Sequence, residues 1–475
     1  MEGRQQLRVG LCGIGLDAYW SQFAGLKTRL EGYVEQVAVR LARPGVEIVN
    51  LGLVDTTARS REAGHQCRRE DIDILFLYVT TYALSNTVLP LVQRAGVPVI
   101  VLNLQPEAAI DYKTFNQLQD RTAMTGHWLA YCTTCPVPEI ANVLMRARIP
   151  FHQVTGVLNE ATTWREIEEW MAAAQIRSVL ASARLGLLGH YYSGMLDVIT
   201  DVTQVSIIFG AHVELLEVDE LSALGSAVKE SEVTRRIEEF QDTFDIQPDC
   251  PPEELRRAAR TSVALDAFVA RHALDAMAYY YKGTGTSNED TISSIILGTS
   301  LLTARHIPVA GEYEVKNALA MKIMDCLGAG GSFTEFYAMD FNDDLVLMGH
   351  DGPGHIVISE GKTKVRPLTV YHGKVGHGLS VEMSVKHGPI TLLSVVEDAD
   401  THFKLLVAEG ECVAGEIMAI GNTNSRYRFS LGARDFVNAW TAQGPAHHCA
   451  VGVGHIATTL KKTAALMGIG FHQIC

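Results

Sequence analysis

The sequence predicts an α/β protein in which two doubly wound parallel α/β domains precede a C-terminal β-rich, barrel-like domain. Through the first two thirds of the chain, short apolar runs alternate with helical patterns, which is typical of parallel sheets covered by helices on both faces. After about residue 329 the pattern changes to alternating strands punctuated by Gly, Asp and Pro, which is typical of antiparallel β structure. We therefore predict domains at residues 1–170, 171–328 and 329–475.

The composition is that of a globular enzyme. The chain has 475 residues, of which 47% are hydrophobic and 20% are charged. Its net charge of −14 argues against a broad basic surface for nucleic acid and favours small polar substrates. Since no apolar run is long enough to cross a membrane and the first residues lack signal-peptide features, we expect a soluble, cytoplasmic protein with no membrane partner.

The first domain is predicted from four strand-like runs separated by helical patterns: "LRVGLCGI", "VEIVNLGLV", "IDILFLYV" and "VPVIVLNL". Ligands of such sheets bind at the carboxyl ends of the strands. The opening "GLCGIG" does not complete a dinucleotide fingerprint, because Ala18 stands at the position of its third glycine. Cys132 and Cys135 lack a second CxxC partner, so the sequence favours loop packing over a zinc site.

The second domain is predicted from a restart of the same pattern. A helix from "TTWREIEEW" leads into a strand, and "VSIIFGAHVELLEV" is interpreted as a further pair of strands. Residues 251–281 form one long predicted helix, which begins with two prolines and two glutamates. The third domain is predicted from strands within "DLVLMGHDGPGHIVIS", "KVRPLTVYHG", "GLSVEMSVKHGPITLLSVVED", "HFKLLVAEGECVAG" and "YRFSLG".

Four stretches of the second half carry side chains that a divalent cation needs. Glu312 lies in a Gly-flanked loop, Glu335 follows two glycines, His350 ends an apolar strand, and His447 and His448 lie in a small-residue loop. Two carboxylates with imidazoles form a mixed oxygen and nitrogen set, which suits Mn²⁺, Co²⁺ or Mg²⁺ better than structural zinc. Taken without further information, these residues fit ordinary structural roles somewhat better than a metal site.

In their order along the chain and in their residue pattern, these stretches resemble the motifs of the L-arabinose isomerase family. The family's loop similar to AGEGD appears here as "AGEYEVK", and its GGTSFMEDY-like run appears as "GGSFTEFYAMDF". Its NDLVLGSH-like strand and AHHT-like loop appear as "NDDLVLMGH" and "AHHCAV". The motifs cover about residues 310–351 and 444–452, and a weaker similarity of layout extends over most of the chain.

The resemblance implies a metal-dependent sugar isomerase that interconverts an aldose and a ketose through a cis-enediol. It implies that Glu312, Glu335, His350 and His448 hold the metal, with Mn²⁺ as the expected ion, and that the two glutamates act as acid and base. His447 is then a neighbour that packs or donates a hydrogen bond, and we count it among the residues that contact the sugar. The substrate is a small monosaccharide.

The segments expected to contact the sugar differ from the family pattern. Where the family carries a GSQHLYG-like loop, this chain has "GIGLDAYWSQ" and offers Tyr19 and Trp20. In an ungapped comparison, the family's substrate-contacting histidine falls on Cys135. L-Arabinose itself is therefore in doubt, and another pentose, a hexose or a deoxy-sugar is an equal candidate. We also predict substrate contacts from His190 and Tyr191 in the loop "RLGLLGHYYSGM", which could equally be a packed αβ loop.

Three other functions are open at this point. A sugar epimerase would use the same enediol chemistry, and a catalytically silent sugar-binding paralogue would keep the fold without needing two glutamates at a cation. An NAD-dependent sugar dehydrogenase would use "LRVGLCGIG", against which the missing glycine argues. The resemblance further implies a homo-oligomer, a hexamer, in which the N-terminal loops of one subunit complete a neighbour's pocket.

Overall fold

The computed structural model describes residues 6–282, 287–368 and 377–475. The chain folds as two compact units, Met1–Ser178 and Val179–Cys475. The predicted boundary at residue 170 lies within a helix, and the predicted boundary at residue 328 lies between a helix and a strand. Among the described residues, the helices lack either the length or the apolar character that crossing a membrane requires.

The first unit contains one parallel sheet and its helices. Its strands are β1 (Leu7–Ile14), β2 (Val46–Val54), β3 (Ile74–Val79), β4 (Val99–Gln105) and β5 (Phe151–Val157). Its helices are α1 (Leu26–Leu41), α2 (Thr57–Arg69), α3 (Ser85–Ala95), α4 (Tyr112–Asn116), α5 (Arg121–Leu129), α6 (Val137–Arg146) and α7 (Ala161–Ser182), which leads into the second unit. A 3-10 turn spans Asp17–Tyr19.

The strands of the first unit follow the order β2-β1-β3-β4-β5, and all of them pair in parallel. Strand β3 is buried at every position, which is why its sequence is a continuous apolar run rather than an alternating one. The four predicted strands are present, and β5 is an additional strand that the sequence reading did not identify. The parallel α/β prediction for this part of the chain is confirmed.

The second unit begins with elements of a second parallel sheet. Its strands are β6 (Arg184–Gly189), β7 (His212–Leu216), β8 (Asp245–Ile246), β9 (Ala276–Tyr280) and β10 (Val309–Ala310). Its helices are α8 (Val202–Phe209), α9 (Val218–Ala227), α10 (Glu230–Thr243), α11 (Pro252–His272), α12 (Ser287–Ser293), α13 (Ile296–Ala304) and α14 (Val315–Cys326), with a 3-10 turn at Leu196–Val198. The sheet order is β10-β9-β6-β7, with parallel pairing throughout.

Two local predictions in this region are wrong. The helix predicted over residues 251–281 ends at His272, where Ala273 adopts a left-handed conformation with φ 49°, and "AMAYY" forms the central strand β9. The stretch interpreted as two strands is a helix followed by a strand, because Asp201 caps the start of α8 and Gly210 ends it.

The rest of the second unit is mainly antiparallel. Its strands are β11 (Gly330–Asp340), β12 (Leu345–His350), β13 (Lys364–Pro367), β14 (Leu379–Glu382), β15 (Gly388–Glu397), β16 (Phe403–Cys412), β17 (Thr423–Phe429), β18 (His448–Val453) and β19 (Gly470–Gln473). Its helices are α15 (Ala433–Thr441) and α16 (Ala457–Met467), and Ile356–Ile358 forms a 3-10 turn. Part of the predicted strand "KVRPLTVYHG" lies outside the described residues.

Six of these strands close into a barrel. Their order is β15-β18-β11-β12-β17-β16, and β15 pairs with β16 to complete the ring. Strand β19 adds to β16 in parallel, and β14-β13-β8 form a small separate sheet. The predicted β-rich, barrel-like domain is therefore confirmed.

Helix α14 joins the second parallel sheet to the barrel. Its sequence "VKNALAMKIMDC" is buried on nearly every side, in keeping with its lack of a single polar face. It packs against β9 and β10 of the sheet and against β11, β15 and β18 of the barrel. Residues that precede α14 are thus held close to residues at the ends of the barrel strands.

Candidate metal centre

Glu312 lies at the carboxyl end of β10, in the turn that leads into α14. Both Glu312 and Tyr313 have positive φ values, 55° and 64°, which are uncommon for residues other than glycine. Two backbone hydrogen bonds hold the turn: Tyr313 N–H donates to the Tyr279 carbonyl at 3.0 Å, and Glu314 N–H donates to the Gly311 carbonyl at 3.1 Å. Such conformations persist where the surroundings enforce them, and they cluster at functional sites.

The barrel supplies the other candidate ligands from neighbouring strands. Glu335 of β11 lies opposite Gly349 of β12 on one side and opposite His448 of β18 on the other. His350 is the last residue of β12, and its N–H donates to Thr423 Oγ1 at 2.9 Å. Strand pairing alone therefore brings Glu335, His350 and His448 to one region of the barrel.

These side chains surround Glu312. His448 Nε2 lies 3.4 Å from Glu312 Oε2, and His350 Nε2 lies 3.9 Å from Glu312 Oε1. His447 Nε2 lies 3.6 Å from Glu312 Oε2 and 3.9 Å from Glu335 Oε2. The structure thus brings together all four predicted metal ligands and His447, although they come from separate parts of the sequence.

Two buried atoms at the centre have no hydrogen-bond partner among the described residues. They are Glu312 Oε2 and His448 Nε2, which face one another. Buried polar atoms are normally satisfied, and a cation bound between these two atoms would satisfy both. Ligand atoms of Glu312, His447 and His448 also lie within 4.8 Å of one another. The donor set therefore fits a divalent cation.

Each of the paired histidines is oriented by its own carboxylate. His448 Nδ1 donates to Glu314 Oε2 at 2.6 Å, and His447 Nδ1 donates to Asp197 Oδ2 at 2.6 Å. Carboxylates commonly fix the ring of a metal-bound histidine in this way. The sequence reading missed both partners. Glu314 was detectable as the second acid of "AGEYEVK", whereas Asp197 is 250 positions from His447 and has no such signal.

The charges around His447 change its pKa. Burial acts to lower the pKa of this imidazole, but its contacts with the Glu312 and Asp197 carboxylates outweigh burial and raise the pKa to about 9. Burial also raises the pKa of Tyr280 to about 12, with smaller contributions from Tyr192 and Glu312. A pKa of about 9 favours the protonated imidazole of His447, whose positive charge balances part of the carboxylate charge.

A cavity of about 200 Å³ opens beside these residues. One part of its wall is ionisable and contains Glu312, Glu335, His350, Asp351 and His447. The other part is aromatic or apolar and contains Tyr192, Met195, Tyr279, Tyr280, Ile296 and Pro353. A few converging polar groups on an otherwise apolar wall are typical of a site for a small molecule.

His190 and Tyr191, the predicted substrate contacts, are not among the residues that line this cavity. The residue that follows them, Tyr192, does line it. His190 Nδ1 donates to the Tyr191 carbonyl at 2.9 Å, and its ring packs edge-on against Tyr280. The Tyr191 ring packs against Tyr313, with ring centroids 4.8 Å apart. Their contact with substrate stays a prediction.

Tyr19, Trp20 and Cys135 belong to the first unit. Trp20 Nε1 donates to Asp55 Oδ2 at 2.8 Å, and both aromatic rings pack on the cluster that contains Cys132. The Cys132 and Cys135 sulfur atoms are 2.6 Å apart, and all nine cysteines of the chain are free thiols. The predicted role of these three residues in binding sugar stays a prediction.

Comparison with known proteins identifies the same family on both halves of the second unit. Residues 196–329 match the L-arabinose isomerase central domain, and residues 330–470 match the L-arabinose isomerase C-terminal domain. Together these matches span more than half of the chain. Among solved structures, a solute-binding protein from Burkholderia multivorans aligns over 65% of this chain and 96% of its own at 11% identity, with a TM-score of 0.18 that is too low to support any inference.

Curated relatives agree with the domain matches. An L-arabinose isomerase from Nocardioides sp. is 24% identical over 70% of this chain and 67% of its own, and one from Oceanobacillus iheyensis is 23% identical over 67% and 68%. A sulfoquinovose isomerase from Alkalicoccus urumqiensis is 21% identical over 72% of each chain. Nothing in these comparisons supports the alternatives of a silent paralogue or a dehydrogenase. The chain belongs to the L-arabinose isomerase family as a divergent member, and it is an enzyme of the aldose–ketose sugar isomerase class.

Proposed function

We propose that the isomerisation depends on a divalent metal ion and proceeds through a cis-enediol. In this proposal Glu312, Glu335, His350 and His448 hold the ion, with Mn²⁺ first and Co²⁺ or Mg²⁺ as substitutes. The observation that carries the proposal is the pair of buried, unsatisfied atoms Glu312 Oε2 and His448 Nε2, which face one another at 3.4 Å. An ion between ligands of this kind would satisfy both atoms.

The reaction moves one proton between carbons and one between oxygens. A base removes the proton from C2 of the aldose, and an acid returns a proton to C1, while the proton on the C2 oxygen is transferred to the C1 oxygen. Glu312 and Glu335 line the same cavity wall, so they can serve as this acid and base. When bound, a divalent ion supplies Lewis-acid stabilisation of the negative charge that develops on the sugar oxygens.

The substrate is a monosaccharide, and the relatives leave its identity open. Their names include both L-arabinose isomerase and sulfoquinovose isomerase. Because the N-terminal segments of this chain depart from the family pattern, we propose that another pentose, a hexose or a deoxy-sugar is as good a candidate as L-arabinose. Tyr19, Trp20, Cys135, His190, Tyr191 and His447 remain our proposed substrate contacts. We further propose a cytoplasmic homo-oligomer, a hexamer, with no nucleic-acid or membrane partner.

Substitution of the two glutamates tests their proposed role. We expect Glu312→Gln and Glu335→Gln each to lower kcat by about 10²–10⁴-fold, because glutamine keeps the shape of the side chain but cannot transfer the proton. Ketose formation from an aldose panel is the measurement. Glu253→Gln, on the exposed first turn of α11, is the matched control and should leave kcat unchanged. Full activity in either cavity variant would contradict the assignment.

A further inference from the structure

Asp197 makes two hydrogen bonds to His447 with the same carboxylate oxygen. The backbone N–H of His447 donates to Asp197 Oδ2 at 2.9 Å, and the ring Nδ1 donates to it at 2.6 Å. One contact fixes the backbone at the start of the histidine pair, and the other fixes the rotation of the ring. The contact spans 250 positions of the sequence, between a 3-10 turn after β6 and the residue before β18.

Asp197 is itself held by the segment that carries the metal ligand Glu312. Its backbone carbonyl accepts a hydrogen bond from Lys316 Nζ at 2.7 Å, and Lys316 is a buried residue in the first turn of α14. The lysine therefore ties the turn at Leu196–Val198 to the helix that follows Glu312. This hydrogen bond thereby fixes the backbone at Asp197.

His447 and His448 differ in the exposure of their side chains and in the surroundings of their Nε2 atoms. The His448 side chain is fully buried, with 0% of its surface exposed, and its Nε2 faces the interior beside Glu312. The His447 side chain is 34% exposed and lines the cavity. With Nδ1 held by Asp197, His447 presents Nε2 to the cavity between Glu312 and Glu335. A sugar at the reacting carboxylates would meet this nitrogen.

We propose that Asp197 is a positioning residue, which orients His447 so that its Nε2 binds an oxygen at the reacting end of the sugar. This inference rests on the proposed function, because it takes the sugar to lie beside Glu312 and Glu335. It assigns His447 to the substrate rather than to the metal ion. It also predicts that Asp197 acts only through His447, and this can be tested with a double-mutant cycle.

The cycle consists of Asp197→Asn, His447→Asn and the double variant, with Mn²⁺ affinity measured beside kcat and KM. Asparagine keeps the shape of Asp197 but loses the charge that holds Nδ1–H. We expect Asp197→Asn to lower kcat/KM by about 10–100-fold, the range found when the hydrogen-bond partner of a metal-bound histidine is removed. The double variant should fall no further than His447→Asn, and Mn²⁺ affinity should stay within about twofold in all three variants.

Asp201→Asn is the matched control, because Asp201 caps α8 only four residues away and does not touch His447. It should leave kcat/KM unchanged. Additive losses in the double variant would overturn the proposal, since Asp197 would then act independently of His447. A loss of Mn²⁺ affinity in His447→Asn that matches its loss of activity would also overturn it, because His447 would then be a metal ligand.

A second readout does not depend on turnover. In the Mg²⁺-loaded chain labelled with ¹⁵N-histidine, we expect a low-field ring N–H proton of His447 that Asp197→Asn abolishes and Asp201→Asn retains. If the wild-type chain converts no sugar but shows this proton, the proposed function fails while the Asp197–His447 contact stands. If turnover is present and Asp197→Asn leaves the proton unchanged, the positioning proposal fails by itself.

Discussion

The buried pair of Glu314 and His448 determines how the proposed metal site should respond to substitution. Glu314 is 1% exposed, and its carboxylate accepts the Nδ1–H of His448 at 2.6 Å. Glu314→Gln removes the charge that keeps Nδ1 protonated and Nε2 available as a ligand. We expect Mn²⁺ affinity to fall by about 10–100-fold, measured by competition with a chelator.

A second buried glutamate provides the control for that measurement. Glu382 is 3% exposed and accepts a hydrogen bond from Arg366 Nε at 2.8 Å, and it does not line the cavity. Glu382→Gln should lower the free energy of unfolding without changing Mn²⁺ affinity. An unchanged affinity in Glu314→Gln would mean that His448 does not need this carboxylate to bind the ion.

His355 should make the stability of the second unit sensitive to acid. Burial lowers the pKa of this imidazole from 6.5 to about 4, and the nearby Asp325 charge offsets only part of that shift. Between pH 6.5 and 4 the unfolded chain binds a proton that the folded chain does not. The free energy of unfolding is therefore highest above pH 6.5 and falls as the pH drops, by on the order of 1.4 kcal/mol per pH unit for this one group.

Urea unfolding at several pH values checks this expectation. His355→Asn should flatten the dependence between pH 6.5 and 4, whatever its effect on absolute stability. His402→Asn, at a side chain that is 77% exposed, is the control and should keep the wild-type slope. A slope in His355→Asn equal to that of the wild type would show that another group controls the acid response.

At the scale of single residues, the sequence identified the side chains with metal-binding chemistry but not the residues that orient them. Glu312, Glu335, His350 and His448 lie in recognisable local patterns, and they converge in the structure. Asp197 could not be inferred, because its contact with His447 exists only after α14, β6 and the barrel have packed. Local spacing carries no information about such contacts.

Strand β12 must approach β17 closely for His350 to reach the site. A Cβ atom on Gly349 would overlap the backbone carbonyl oxygen of Thr423, which pairs with His350 across the two strands. Gly349→Ala must therefore displace the end of β12. We expect a loss of about 1–3 kcal/mol in the free energy of unfolding, together with weaker Mn²⁺ binding.

Gly32→Ala is the matched control for that substitution. Gly32 lies within helix α1, and a Cβ atom added to it would face open space, so alanine should stabilise the helix by about 0.5–1 kcal/mol. Thermal unfolding and a Mn²⁺ titration of both variants provide the comparison. If Gly349→Ala bound Mn²⁺ as tightly as the wild type, the end of β12 would not control the position of His350.

At the scale of elements, the errors of the sequence reading have identifiable causes. The run "AMAYY" of β9 continues the apolar pattern of α11, and a buried parallel strand cannot be told from a buried helix by periodicity alone. Helix α8 is rich in β-branched and aromatic residues, so propensity suggested a strand, but the caps Asp201 and Gly210 determine the outcome. Both caps are visible in the sequence and carried more information than propensity.

At the scale of the whole molecule, the fold class was predictable because the strands and helices of each layer show a characteristic spacing of apolar residues in the sequence. Continuous apolar runs such as β3 indicate buried parallel strands, and alternating runs such as the end of β17 indicate a barrel wall. Closure of the barrel was not predictable in detail, because β18 pairs with β11 and β15, which lie far from it in the sequence.

Metal dependence is the central claim for the whole enzyme, and one assay tests it directly. The chain is stripped of metal with a chelator, restored with Mn²⁺, and incubated in D₂O with a panel of aldoses, after which ketose and its deuterium content are measured. We predict ketose only in the Mn²⁺-restored sample, with solvent deuterium at C1, because a carboxylate exchanges its proton with water. Undiminished turnover without metal, or ketose that carries no solvent deuterium, would contradict the account.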